Sequence, residues 1–204
     1  MEPNDAAENL QVIRTLMERS AVYRRALAPV MLAVGIIGAV AAPLGVQFGD
    51  SATSAFVFYW SGVCAVAVAV ALSIVRRQAI KSNEPFWSAP TRRVATAMFP
   101  ALFAGATVGH AIGFFIPHIS ATLLIPFWLL FYGSALHAAG MFISAGTRRL
   151  GWVFIAAGIA VIIFLFNARG PDRAPHAMMG LTFGGLHLVA AAYLFLTERR
   201  AKTL

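Results

Sequence analysis

Residues 54–75 read SAFVFYWSGVCAVAVAVALSIV and carry no charge, and Arg76 and Arg77 follow directly. A run of this length can cross about 30 Å of hydrocarbon as a single helix, since about 20 helical residues suffice. Five further stretches have the same character, so the sequence predicts six membrane-spanning helices. The predicted spans are 26–46, 54–75, 94–116, 121–143, 150–167 and 177–197.

The composition indicates the same fold class. Hydrophobic residues make up 59% of the 204 residues and charged residues only 12%, whereas a soluble domain carries about 25% charged residues. The 16 basic and 8 acidic residues all lie outside the six predicted spans. We therefore predict an all-α integral membrane protein, a six-helix bundle surrounded by the lipid bilayer.

The basic residues are divided unequally between the two ends of the predicted bundle. One end holds 14 Lys and Arg residues, and the other end holds only Arg169 and Arg173. Because cytoplasmic loops are enriched in Lys and Arg, this bias predicts a multi-pass inner-membrane protein with both termini in the cytoplasm. The net charge of +8 comes from short runs at helix ends, which set topology and contact lipid headgroups. We therefore expect no nucleic-acid partner.

Residues 1–25 precede the first predicted span and have a different pattern. Leu10, Ile13 and Met17 share one face of a helix, and charged residues share the opposite face. This pattern predicts an amphipathic helix at the membrane interface, and a docking helix for a soluble partner is the alternative. A cytoplasmic or membrane protein partner of the chain is possible. A homo-oligomer is also open. The predicted parts are an amphipathic helix 1–25, a six-helix domain 26–197 and a basic cytoplasmic tail 198–204.

Three histidines, His110, His137 and His187, fall within predicted spans. Ionisable side chains inside a membrane are candidates for function. Glycines accompany each histidine and allow helices to approach closely, which indicates that the imidazoles point into the bundle. The candidate helix-packing residues are Gly105, Gly109, Gly113, Gly133, Gly140, Gly180 and Gly184.

The three histidines differ in depth. Counted from the outer end, His110 lies about 9 Å deep, His187 about 15 Å and His137 about 24 Å. Such a staircase suits a proton or solute path better than a metal site, whose ligands converge on one atom. The polar residues that could bridge such a path are Thr107, Tyr132, Ser134 and Thr182.

Three readings of the histidines stay open at this point. Neutral imidazoles can act as interhelical hydrogen-bonding groups that only hold the bundle together. They can also serve a small permease for a proton, a metal ion or a small solute. The third reading is an electron carrier with haem b between His110 and His187, whose depths are the most similar.

The sequence lacks the common catalytic signatures. It contains no P-loop, HExxH, GxSxG or dinucleotide-binding pattern,. Cys64 is the single cysteine, so neither an intrachain disulfide nor a cysteine metal site can form,. We therefore predict no catalytic residues, no enzyme activity and no cofactor. The first function hypothesis is a non-enzymatic sensing, binding or accessory membrane protein.

Two C-terminal stretches look familiar. They are FYGSALHAAGMFISAGTRRLGW, residues 131–152, and MMGLTFGGLHLVAAAYLF, residues 178–195. Both resemble a family of small uncharacterised bacterial inner-membrane proteins with six spans. The resemblance covers about the C-terminal half of the chain. It implies the fold, and it implies no activity and no site residues.

Overall fold

The computed structural model describes residues 27–47, 52–83, 85–116, 118–167 and 174–200, with side chains described as far as Leu196. The predicted amphipathic helix 1–25 lies outside these residues. The predicted tail 198–204 is described only for its first three residues, where the backbone continues the last helix.

Six helical spans cross the molecule, and all are long and apolar enough to cross a membrane. No strand occurs in the described residues, so the prediction of an all-α six-helix membrane bundle is confirmed. The helices are α1 Leu27–Gln47, α2 Thr53–Lys81, α3 Ala89–Phe115, α4 Leu124–Gly140, α5 Ala145–Asn167, α6 Pro175–Met179 and α7 Gly185–Arg200. A 3₁₀ turn, Ala121–Leu123, precedes α4, and a π-helical turn, Gly180–Gly184, joins α6 to α7 into the sixth span.

Several helices extend beyond the apolar runs that predict them. α2 continues past 75 to Lys81, and α3 begins at Ala89 rather than at 94. Hydropathy marks only the part of a helix that lies in hydrocarbon, whereas backbone hydrogen bonding continues into the headgroup region. The fourth predicted span is too long at its end, since α4 stops at Gly140.

The basic side chains gather at one end of the bundle. α2 ends there, α3 and α5 begin there, and α7 ends there. We call this the arginine-rich end, and its described cations are Arg76, Arg77, Lys81, Arg92, Arg93, Arg148 and Arg149. The opposite end, where α1 ends and α6 begins, is the arginine-poor end.

Helix α4 forms the centre of the bundle. Half of its span is buried, compared with 17% for α3. It packs against α3, α5 and α6, and Leu124, Ile125 and Leu129 are completely buried. Large exposed apolar side chains cover α2, α3 and α5, which is what a lipid-facing surface requires.

Glycines lie where neighbouring helices come closest. A Cβ on Gly151 of α5 would lie 2.6 Å from the Gly133 carbonyl oxygen of α4, so no larger residue fits this contact without displacing backbone. The predicted packing glycines all lie against another helix. Their neighbours are Phe131 for Gly105, Trp128 for Gly109, Val57 for Gly113, Ile155 for Gly133, Arg148 for Gly140, Ala42 for Gly180 and Ala39 for Gly184.

The sixth span packs lengthwise against α1. His176, Gly180, Gly184 and Leu188 contact α1 in turn, the first at Gly45 and the last at Gly35. In an α-helix, residues four apart drift by about 40° around the axis, since one turn takes 3.6 residues. The wider π turn at Gly180–Gly184 reduces that drift, so this row of residues stays directed at α1.

Candidate functional site

His187 on α7 is completely buried, and both of its ring nitrogens have partners. Nδ1 lies 2.7 Å from the Phe183 carbonyl oxygen, and Nε2 lies 2.8 Å from the Tyr132 hydroxyl of α4. A carbonyl oxygen only accepts, so Nδ1 carries the proton and donates it to Phe183. In the neutral ring Nε2 then accepts, and the Tyr132 hydroxyl donates. This bond links the sixth span to α4.

Aromatic rings enclose the Tyr132–His187 pair. The Phe154 ring of α5 lies 5.0 Å from both rings of the pair, and the Phe183 ring lies 4.4 Å from the imidazole, centroid to centroid. Phe154 is itself completely buried. In such an apolar setting a satisfied hydrogen bond is stronger than in water, and an unsatisfied one costs more. We call Tyr132, Phe154, Phe183 and His187 the inner cluster.

A second buried histidine, His176, lies in the first turn of α6 at the arginine-poor end, with 4% of its surface exposed. The Trp60 indole of α2 donates to its Nδ1 at 3.2 Å. An indole N–H can only donate, so Nδ1 accepts and the neutral ring carries its proton on Nε2. His176 and His187 therefore hold opposite tautomers, and each accepts a hydrogen bond from a neutral side chain of another helix.

Aromatic side chains of α2 surround His176 as well. The rings of Phe56 and Tyr59 lie 5.1 and 5.2 Å from the imidazole, centroid to centroid. The Tyr59 hydroxyl donates to the Ala41 carbonyl oxygen of α1 at 2.5 Å. A Cβ on Gly45 of α1 would overlap the imidazole. α1 and α2 together thus hold the start of α6, and we call His176, Phe56, Tyr59 and Trp60 the outer cluster.

His110 is a residue of α3 that faces α2, and its side chain is partly buried. Its Nδ1 lies 2.8 Å from the Ala106 carbonyl oxygen, one turn earlier on α3, and donates to it. The Ser61 hydroxyl of α2 lies 3.4 Å from Nε2, at the long end of hydrogen-bond distances,. His110 therefore makes a weak link between neighbouring helices.

His137 lies near the end of α4, close to the arginine-rich end. Its ring packs edge-on to Trp152 of α5, with centroids 5.5 Å apart. Its backbone lies directly over Gly151. Nδ1 is buried, and within the described residues it has no hydrogen-bond partner.

The structure brings few of the predicted path residues into contact with one another. Of the seven, the structure bonds only Tyr132 to His187, and the three histidines each have a different set of neighbours. Ser134 and Thr107 are exposed. The hydroxyl of Ser134 donates to the carbonyl one turn back on its own helix, as does that of Thr182, each at 2.8 Å.

The positions of the histidine side chains also show whether these residues could hold a metal ion or a haem. Among the described residues, no group of three His, Cys, Asp or Glu side chains lies close enough to hold a metal ion. His110 directs Nε2 towards Ser61 of α2, and His187 directs Nε2 towards Tyr132 of α4. The two imidazoles thus face different helices, and these residues do not fit a haem held between them.

His176 is not among the residues that the sequence predicts to matter. The apolar run for the sixth span begins at 177, which leaves His176 in the preceding loop. Pro175 gives the local signal, because proline favours the first turn of a helix, and the helix does begin there. Burial by α2 could not be read from that signal.

Comparison of the chain with protein-family models, with curated proteins and with solved structures finds no match. Its function is therefore inferred from its own residues.

Proposed function

We propose that this multi-pass membrane protein is a non-enzymatic, acid-responsive sensor in which the sixth span is the moving element. The observation that carries the proposal is the bond from the Tyr132 hydroxyl to Nε2 of His187, at 2.8 Å, with the imidazole completely buried among aromatic rings. Ionisable side chains inside a membrane are costly and commonly functional. π-helical turns such as Gly180–Gly184 often accompany functional sites,.

Protonation of His187 would change this bond directly. Nδ1 already donates to Phe183, so a second proton must go to Nε2, which then ceases to accept from Tyr132. The imidazolium would also lie among apolar rings, where an unpaired charge is unfavourable. Release of α7 from α4 removes both penalties, and this release is the proposed response.

Few other titratable groups face His187 in the described part of the chain. α4 contributes Tyr132, and α5 contributes the apolar Phe154. His176 supports the same response at the arginine-poor end, because it too accepts from a neutral donor, Trp60. Acid would thus weaken the hold on the sixth span at both points.

A distance measurement across the bundle tests the proposal. Spin labels at Phe127 of α4 and Leu181 of the π turn, both exposed, are introduced with Cys64 replaced by Ser and measured in lipid nanodiscs. We expect the label separation to change between about pH 8 and about pH 3, a window that extends to strong acid because an imidazolium is unfavourable among apolar rings. His187→Gln is expected to reduce the change strongly, since an amide does not titrate there, and His187→Gln combined with His176→Gln is expected to abolish it.

His110→Gln is the matched control, because His110 lies away from the sixth span and should leave the acid response intact. An equal response in His187→Gln, or no response in the parent protein, would contradict the proposal. The permease and haem alternatives receive no support from the observed contacts, since the three histidines do not converge on one space.

The sensor is proposed to work with a partner protein. Since the sequence carries no catalytic signature, its state must be passed on by contact. The predicted amphipathic helix 1–25 is the proposed contact segment, and a second copy of the chain is the other candidate. The likeness of residues 131–152 and 178–195 to small bacterial inner-membrane proteins also stays a proposal.

We further propose that the protein lies in the inner membrane with its arginine-rich end in the cytoplasm. The bias of 14 basic residues against 2 supports this orientation,. Reporter fusions after Arg77 and Arg149 are expected to report cytoplasm, and fusions near Gly49 and Pro171 to report periplasm. A periplasmic signal at Arg149 would overturn the orientation.

A further inference from the structure

Two stretches at the arginine-rich end have nearly the same sequence. Residues 86–93 read FWSAPTRR and residues 142–149 read FISAGTRR, and they differ only at the second and fifth positions. The first stretch leads into α3 and the second into α5. We call them the first and second FxSAxTRR motifs. Their agreement extends to polar positions that membrane insertion alone does not require.

The two motifs share one side-chain contact. In the first, the Ser88 hydroxyl lies 3.0 Å from the Thr91 hydroxyl, and in the second, Ser144 and Thr147 are separated by the same distance. Both threonines are buried, at 8% and 1% exposure. The two following arginines are exposed in each motif. Each motif therefore presents an arginine pair from a fixed backbone.

Each arginine pair lies above a lipid-facing aromatic surface. On α5, Trp152 follows Arg148 by four residues, so the two side chains share a helix face, and Trp152 is 60% exposed. On α3, Phe99 follows Arg92 by seven residues, about two turns, and is 64% exposed. In each helix the arginine thus lies at the headgroup level, and the exposed aromatic ring lies below it, towards the hydrocarbon.

The charged side chains that the structure describes at this end are basic, and the sequence also has Glu84 and Glu198 beside these cations, outside the described side chains. Arg76, Arg77 and Lys81 of α2 lie at the same end as the two motifs, and no carboxylate occurs among the side chains that the structure describes. Arg148 has a sulfur neighbour, Met141, at 3.6 Å. A guanidinium group can donate two parallel hydrogen bonds to the oxygens of one phosphate group.

We propose that the two FxSAxTRR motifs form a matched pair of binding sites for anionic phospholipids such as phosphatidylglycerol. The arginine pair binds the phosphate, and the acyl chains lie along the exposed aromatic face below it. The adjoining aromatic surface favours an intact lipid over a soluble phosphate or an acidic protein, because only a lipid occupies both parts. The residues of the two motifs are different from those of the proposed acid response.

The experiment uses the full chain purified in neutral detergent. Native mass spectrometry counts bound phosphatidylglycerol against phosphatidylcholine, and thermal unfolding follows the stabilisation that each lipid gives. We expect the parent protein to retain phosphatidylglycerol preferentially and to melt at a higher temperature with it. Each double variant, Arg92→Gln with Arg93→Gln or Arg148→Gln with Arg149→Gln, should lose one retained lipid, and the combined variant should lose both.

Arg76→Gln with Arg77→Gln is the matched control, because it removes the same charge from the same end outside the motifs. It should retain both lipids, and an equal loss in the control would overturn the proposal in favour of general charge attraction. Glycerol 3-phosphate is the second control, and stabilisation by it equal to that by the lipid would overturn the lipid assignment.

Should the Gln variants not fold, Arg→Lys variants at the same positions keep the charge and lose the paired N–H geometry. They are expected to retain less phosphatidylglycerol than the parent protein. Equal retention by the Lys variants would contradict binding by arginine pairs.

Discussion

Replacing Tyr132 with Phe removes one oxygen atom from the centre of the bundle and little else. The ring remains, and so do its contacts with Phe154 and Phe183, whose centroids lie 5.0 and 5.1 Å away. What disappears is the hydroxyl that donates to Nε2 of His187. The change in the free energy of unfolding therefore measures this bond in its own surroundings.

The expected cost follows from burial. Interhelical hydrogen bonds in membrane proteins average about 0.6 kcal/mol and reach about 1.7 kcal/mol. In Tyr132→Phe the acceptor Nε2 stays behind in a completely buried side chain, and an unsatisfied buried group costs about 1–3 kcal/mol. We expect a loss of about 1–2 kcal/mol, in the upper part of the membrane range. Combining Tyr132→Phe with His187→Phe should recover part of this loss, because the orphaned acceptor is then gone.

Reversible unfolding in bicelles or mixed micelles measures these free energies. Ser134→Ala is the control, since its exposed hydroxyl donates only to the Leu130 carbonyl of its own helix, and we expect it to cost little. A loss in Tyr132→Phe no larger than in Ser134→Ala would refute the reasoning. So would a double variant whose loss equals the sum of the two single losses, because coupled partners do not add.

Three further variants test the packing around the other histidines. Gly45→Ala places a Cβ on the His176 imidazole and should cost about 1–3 kcal/mol, whereas Gly62→Ala meets open space and should leave the melting temperature unchanged or higher. Trp60→Phe removes the indole donor that lies 3.2 Å from Nδ1 of His176. The free energy of unfolding is expected to fall by about 1 kcal/mol. A melting temperature equal to that of the parent protein would argue against this bond. His137→Phe removes an Nδ1 that has no partner among the described residues, so stability should be kept or raised, and a clear loss would reveal a partner elsewhere in the chain.

The six spans could be read from the sequence because the bilayer acts on each segment separately. A charge in hydrocarbon is unfavourable whatever its neighbours are, so exclusion of charge from 54–75 and from five other runs is a local property. The shared face of the glycines on α4 could also be predicted, since it follows from their spacing alone. Gly133 and Gly140 lie on one helix face at a spacing of seven residues, and both pack against α5.

The ends of the helices are harder to predict from the sequence. α2 continues to Lys81, and α6 begins at Pro175, because hydrogen bonding rather than hydropathy decides where a helix stops. For this reason the sequence does not predict that His176 lies within the sixth span. The repeated FxSAxTRR motif, by contrast, is fully visible in the sequence, although only the structure shows that both copies hold their hydroxyls at the same distance.

The sequence by itself determined how many helices can cross the membrane and which end carries the arginines, since both follow from the order of residues along the chain. Which helix each histidine faces was decided only in three dimensions. Direction around a helix axis accumulates with every residue, and one wide turn at Gly180–Gly184 changes it for all that follow,. On this one span, His176 binds Trp60 of α2, and His187, eleven residues later, binds Tyr132 of α4.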